Sequence, residues 1–316
     1  MIKIDLITGF LGAGKTTFMK KYARFLMDQG MHIGIIENDF GAINVDMLLL
    51  QDLEGEFCDV EPIVGGNVAS DWKRRFKAKL ISLAMQGVQR VLVEPSGIYD
   101  VDTFFEVLYD EPVDKWYEIG DVITIVDAKM DTRMSEQAEF LLMSQVANSG
   151  QIVFSKVESA TGDQIQETTR YLSELLEKYD CDSEVQEKLQ SKIIAKSWNE
   201  LNASDYQKLM DTTWVSASYK SLYFDKNDVF TSLFFMNVSI PQEQIQSRIQ
   251  QLFQKKCNGT VIRVKGFFHL KDDSWIEVNA TRDHYECNQI EKGQEVVIVI
   301  GEELDKEAIS GCFEQN

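Results

Sequence analysis

GFLGAGKTT, residues 9–17, decides the fold, because it sets glycines at positions 9, 12 and 14 directly before Lys15, Thr16 and Thr17. The run before it, IKIDLIT at 2–8, is apolar and β-branched. The residues after it carry apolar side chains at helical spacing: Phe18, Tyr22, Phe25 and Leu26. A glycine-rich turn between a strand and a helix aims backbone N–H groups and the positive end of the helix at one point, which suits a phosphate. Gly9-x4-Gly14-Lys15-Thr16 is the spacing of a nucleoside triphosphate loop, the P-loop. Lys15 is then expected to neutralise the β- and γ-phosphates and the Thr16 hydroxyl to ligate Mg²⁺, with Gly9, Gly12, Ala13, Gly14 and Thr17 completing the cradle.

Working outward, HIGIIEN (32–38), RVLVEPS (90–96), DVITIVDA (121–128), QIVFSK (151–156) and TWVSAS (213–218) read as further strands. Helical spacing recurs between them, as at Phe76, Leu80, Leu83 and Ala84. This alternation predicts an α/β fold: a P-loop NTPase domain whose mainly parallel sheet is flanked by helices. Residues 159–212 read as polar surface helices around a short IIA strand. After YKSLYFDKNDVF (219–230) the grammar changes to a strand-like run at 231–240, a helix starting near Pro241, and then TVIRVKGFFHL, SWIEVNA and QEVVIVIG. A smaller α+β C-terminal domain is expected there, dividing the chain into 1–224 and 225–316.

Composition narrows the partners. Lys+Arg 32 against Asp+Glu 51 gives a formal charge of −19, which repels a phosphate backbone and argues against nucleic acid as a partner. No run of eighteen apolar residues exists and the first strand begins at once, so a soluble cytoplasmic protein without a membrane partner is expected. The five cysteines, Cys58, Cys181, Cys257, Cys287 and Cys312, are at least 25 residues apart, a spacing that fits reduced thiols better than a disulfide framework.

Three more stretches lie where a triphosphatase needs them. ENDFGAINVD, 37–46, offers carboxylates to Mg²⁺ or to a water once the γ-phosphate orders the loop, with Asp39 preferred. VLVEPSG puts Glu94 at a strand terminus beside the phosphates and brings the Gly97 N–H near the γ-phosphate. FSKVES offers Ser155, Lys156 and Glu158, the lysine stem to cover a purine face and the carboxylate to accept from a guanine edge.

In that order, these stretches resemble the CobW family of P-loop GTPases, relatives of the urease- and hydrogenase-maturation GTPases and regarded as metallochaperones or metallocofactor-assembly proteins. The family's GFLGxGKTT matches 9–17, its NEFG matches Asn38-Asp39-Phe40-Gly41 with Asp for Glu, and its ExxG matches Glu94 to Gly97. Its NKxD corresponds to the altered Ser155-Lys156-Val157-Glu158. Val126-Asp127-Ala128 and a base-side loop at Ser216-Ala217 also fit, and RVKGFFHL with VVIVIGEELDKEAI resembles the family's C-terminal domain.

The resemblance implies a slow GTP-driven switch with Mg²⁺ as cofactor, acting on a client metalloprotein or cofactor-binding protein, and a nucleotide-dependent homodimer as one arrangement. Lys15, Asp39 and Glu94 are its catalytic candidates. The family usually carries GCxCC where this chain has GGNVAS, so Asn67, Ala69 and Ser70 stand at the cysteine positions and that motif cannot bind metal. A rebuilt site for Zn²⁺ or Co²⁺ would use Cys58 with carboxylates from Glu37, Asp39, Asp59 and Glu61. The three histidines, His32, His269 and His284, are too scattered to add a cluster. Glu158 keeps the charge of the usual Asp and favours GTP over ATP. Three readings stay open: a metallochaperone GTPase, a regulatory GTPase that remodels a client without carrying metal, and a small-molecule P-loop kinase.

Overall fold

Strands that carry apolar residues on both faces need a layer of helix on each side. In the first of two compact units, Met1–Leu222 and Tyr223–Asn316, they receive it. The computed structural model describes residues 1–39, 50–64, 69–95, 101–222, 229–238, 240–290, 293 and 295–313. The domain boundary expected near residue 225 falls outside them. The strands of the first unit are β1 (Ile2–Thr8), β2 (Ile33–Asp39), β3 (Cys58–Val64), β4 (Arg90–Glu94), β5 (Tyr117–Asp127), β6 (Gln151–Ser155) and β7 (Ile193–Ile194). They form a parallel sheet in the order β3-β2-β4-β1-β5-β6-β7.

Alternation along each strand sends side chains to opposite faces. Ile7, Ile33, Ile35, Leu92, Ile123 and Ile125 join Phe18, Met19, Tyr22 and Leu26 of α1 (Lys15–Asp28) and Tyr206 and Leu209 of α7 (Ala203–Asp211). Ile4, Leu6, Ile36, Val91, Val93 and Val122 join Phe76, Leu80 and Leu83 of α2 (Ala69–Gln86) and Phe104 and Leu108 of α3 (Val101–Leu108). Helices α4 (Glu136–Asn148), α5 (Gly162–Lys178) and α6 (Ser183–Lys192) complete the unit. Among the described residues no helix is long and apolar enough to cross a membrane.

Strand β1 lies between β4 and β5: its own connection runs to β2 on one side, and the chain after β4 crosses to β5 on the other, so the direction of winding reverses beside β1. In an open parallel sheet that switch opens a crevice beyond the strand C-termini, where ligands settle. The P-loop occupies it.

Two sequence expectations need correction here. TWVSAS, 213–218, joins no ladder: Trp214 and Val215 only donate their N–H groups to Gly120 and Asn148 carbonyls, at 3.1 and 3.0 Å. Strand β3 was not expected, because CDVEPIV carries two acids and a proline. It is an edge strand, where Pro62 has a free side on which to place its missing N–H.

The second unit is an antiparallel sheet in the order β11-β10-β9-β12-β8, built from β8 (Phe230–Met236), β9 (Thr260–His269), β10 (Trp275–Thr281), β11 (His284–Ile290) and β12 (Val296–Glu302). Helices α8 (Gln242–Gln254) and α9 (Lys306–Phe313) cover one face through Ile245, Ile249, Ile309 and Phe313. Strand β11 escapes sequence reading because its exposed, polar HYECNQI lacks an apolar face.

Candidate functional site

The P-loop follows from the backbone its glycines allow. Gly9, Gly12 and Gly14 have φ of 141°, 79° and 94°, left-handed values that favour glycine. A Cβ at Gly9 would collide with the Ile125 carbonyl oxygen of β5, so the loop passes the neighbouring strand only as glycine. Ala13 N–H donates to Phe10 O at 3.2 Å and closes the turn. Gly14 caps α1 without a side-chain acceptor, and the first turn of α1 holds no acidic residue. Its N–H groups and dipole therefore face the loop unneutralised by carboxylates of that turn. Lys15 is buried in that turn.

Beside the loop, parallel register brings two acids together. Glu37 of β2 pairs with Glu94 of β4, both at strand C-termini and both buried. Thr16 Oγ1 donates to Glu94 Oε1 at 2.8 Å. The Thr8 hydroxyl, at the end of β1, is buried without a hydrogen-bond partner among the described residues. Within ENDFGAINVD the sequence favours Asp39 over Glu37, because a one-dimensional reading does not show that Glu37 lies across from Glu94.

On the other flank, β6 delivers Ser155 and Lys156 to the same edge of the sheet. Lys156 sits at φ 55° and its Nζ is 2.6 Å from Asp127 Oδ2, so the two halves of VDA and SKVE hold each other. Ser155 Oγ donates to Val126 O at 3.4 Å, and Ala128 N–H donates to Ser155 O at 3.0 Å. Glu158 lies exposed on the short turn that follows.

Several expected positions come out differently or lie outside the described residues. Ser216 and Ala217 do not reach this flank. Their neighbour Val215 donates to Asn148 O at 3.0 Å and Ala217 N–H donates to Asn148 Oδ1 at 3.4 Å, at the end where β6 begins. Five residues of strand, about 16 Å, separate that end from Ser155. The loop on the Ser155 side instead follows β7, which runs parallel to β6 from Ile193 beside Ile152. It comprises Ala195, Lys196, Ser197 and Trp198. Sequence reasoning saw the short IIA strand without asking what it delivered at its C-terminal end.

Cys58 is also displaced. It opens β3, paired with Ile33, while Val64 at the other end pairs with Asp39, so about 20 Å of strand lies between. Its side chain is fully buried in the core, and burial, then Asp59 and Glu54, push the thiol up to about 12. Such a thiol is a poor metal ligand. Among the described residues no group of three or more His, Cys, Asp or Glu could hold a metal ion. The donors beside the P-loop, Thr16, Glu37 and Glu94, are hard oxygens, which fit Mg²⁺ and not a thiophilic metal. The Asp39 side chain, residues 40–46, Asn67 and Gly97 lie outside the described residues, as do the side chains of Ala69 and Ser70, whose backbone opens α2.

Known proteins bear on this arrangement. The zinc chaperone YjiA of Escherichia coli (strain K12) is 30% identical over 171 residues, 50% of each chain. The zinc chaperone YeiR of the same organism is 27% identical over 174 residues, 54% of this chain and 51% of YeiR. The chain thus spans about half the length of the curated relatives it matches. A solved structure of Zn(II)-bound YjiA GTPase from E. coli aligns over 99% of this chain and 98% of its own, at 18% identity and a TM-score of 0.42. The CobW/HypB/UreG nucleotide-binding domain matches residues 3–181 and the cobalamin synthesis protein cobW C-terminal domain matches residues 234–315. With one match in each unit and the first over more than half of its length, the chain belongs to the CobW/HypB/UreG family.

Proposed function

We propose that this chain is a Mg²⁺-dependent GTPase that acts as a slow switch on a client metalloprotein or corrinoid-type cofactor protein. The hydrogen bond from Thr16 Oγ1 to Glu94 Oε1 carries the reading, since it joins the hydroxyl after the phosphate lysine to a carboxylate at the adjacent strand terminus. Thr16, Glu94 and neighbouring Glu37 would hold Mg²⁺, which neutralises charge on the β- and γ-phosphate oxygens when bound.

Lys15 and the N–H groups of the loop hold the phosphates in place and stabilise the charge that grows on the leaving oxygen. Glu94 orients the attacking water, a role the sequence also offers to Asp39, and Gly97 is the residue whose N–H the motif assigns to the γ-phosphate. Lys156 lays its stem along the purine while Asp127 holds its ammonium, and Glu158 accepts from the guanine edge. The family supports the nucleotide half of this reading, and the zinc-chaperone relatives support the metal-client half.

The buried Cys58 favours the variant in which the client keeps the metal and this chain supplies the nucleotide-driven change of shape. Phosphate release from GTP and from ATP, with and without Mg²⁺, tests the proposal. GTP should be preferred, hydrolysis should need Mg²⁺, and Lys15→Ala should lower it about 10²-fold or more. Glu94→Gln should lower kcat far more than nucleotide affinity. Hydrolysis that ignores Mg²⁺ and Lys15→Ala would sink the GTPase reading. Tight one-to-one Zn²⁺ or Co²⁺ binding in chelator competition would restore metal carriage.

A further inference from the structure

A nucleotide spans two recognition regions, so the element that holds its base and the loop that holds its phosphates must keep a fixed spacing. In this chain the head of the base element does not set that spacing itself. Ser155 has a short side chain, and its hydroxyl bonds back to Val126 O.

Trp198 bridges the gap. Its indole N–H donates to Phe154 O at 2.9 Å, the carbonyl directly before Ser155. Its other end lies on the P-loop, where a Cβ placed on Gly14 would be 3.0 Å from Cη2 of Trp198 and 3.9 Å from the Ser155 Cβ. The same ring stands edge-on to Phe18 in α1, with centroids 5.6 Å apart. Strand β7 is two residues long, so the chain leaves the sheet level with β6 and turns onto this contact. An ion pair between Lys196 and Asp205, at 2.7 Å, ties the loop down to α7.

We propose that Trp198 is a positioning residue that braces the base element against the phosphate loop, so that base and triphosphate are gripped as one ligand. The proposal rests on the nucleotide site proposed above. Trp198 packs against the core beside α1, and like most buried indoles its N–H takes an acceptor. What sets it apart is where its two ends fall, one on the carbonyl directly before Ser155 and the other at the glycine that caps α1. The brace acts between the two regions and should leave each of them able to work alone.

The test is calorimetric titration of the full chain, with Mg²⁺, by a non-hydrolysable GTP analogue and separately by inorganic tripolyphosphate, which has no base. Trp198→Ala is expected to weaken the analogue about tenfold and to leave tripolyphosphate within about twofold. Trp198→Phe keeps the ring and loses the donor. It should weaken the analogue about threefold, the size of one hydrogen bond, and it decides the matter if the alanine variant does not fold.

Variants that bind the analogue like the wild type, or that lose both ligands in the same proportion, overturn the brace and leave the nucleotide site standing. Wild-type protein that binds neither ligand overturns the nucleotide site, and the brace with it.

Discussion

Asp5, Arg90 and Asp121 form a cluster of ionisable groups buried within the sheet. Arg90 donates to both Asp5 oxygens, at 2.5 and 2.9 Å, and to Met210 O at 3.0 Å. Asp5 also accepts from the Tyr22 hydroxyl at 3.3 Å and from Asp121 N–H at 2.9 Å. Asp121 accepts from Gly150 N–H at 3.1 Å, while Lys192, buried close by, has no hydrogen-bond partner for its Nζ among the described residues. Burial, then Asp5, raises the Asp121 carboxyl well above its ordinary value, and burial lowers the Lys192 ammonium. A carboxyl whose folded value exceeds its unfolded 3.8 binds its proton more tightly when folded. Its stabilising contribution is full below 3.8 and is lost as pH rises through the folded value. The melting temperature of the wild type relative to Asp121→Asn should therefore climb as pH is lowered from about 8 to about 5, because the variant lacks the carboxyl whose hold on its proton tightens on folding. A constant difference would assign Asp121 its charge throughout. The Asp in the middle of IKIDLIT was visible in the sequence as an acid in an apolar strand, but nothing local named Arg90, 85 residues away, as its partner.

At the scale of elements, the strands that carry the site announced themselves and those at the margins did not. β1, β2, β4, β5 and β6 carry apolar, mostly β-branched residues on both faces around a few buried acids and Arg90, so composition alone marks them. β3 and β11 are edge strands, whose exposed sides accept acids, proline and polar residues. TWVSAS misled because its alternation comes from crossing the foot of the sheet beside Gly120 and Asn148, not from pairing within it. Glycine at 120 is part of the same geometry: a Cβ there would collide with Asp5 Oδ1. Gly120→Ala must push β5 away from the ion pair and should cost about 3 kcal/mol of stability, measured by denaturant unfolding with nucleotide absent. A loss below about 0.5 kcal/mol would mean that β5 shifts freely over Asp5.

For the whole molecule, a formal charge of −19 sets a repulsion that the local ion pairs do not cancel. Raising NaCl from about 20 mM to about 0.5 M shrinks the screening length severalfold and should raise the melting temperature by a few degrees, at ~2–4 °C per kcal/mol. A fall would show that attractive pairs such as Lys156–Asp127 outweigh the net charge. The sequence by itself determined the nucleotide loop, the alternation of a parallel α/β unit, the change to a second domain and the absence of the cysteine motif. Each of these is written in contiguous residues, where backbone freedom, side-chain period and donor chemistry act locally. Tertiary structure alone decided that Glu37 stands beside Glu94, that Cys58 lies at the far end of its strand, that Ser216 and Ala217 sit at the foot of the sheet, and that Trp198 reaches Gly14. Those facts depend on strand order and register, which are settled when the whole sheet buries its two faces at once and no single segment can encode them.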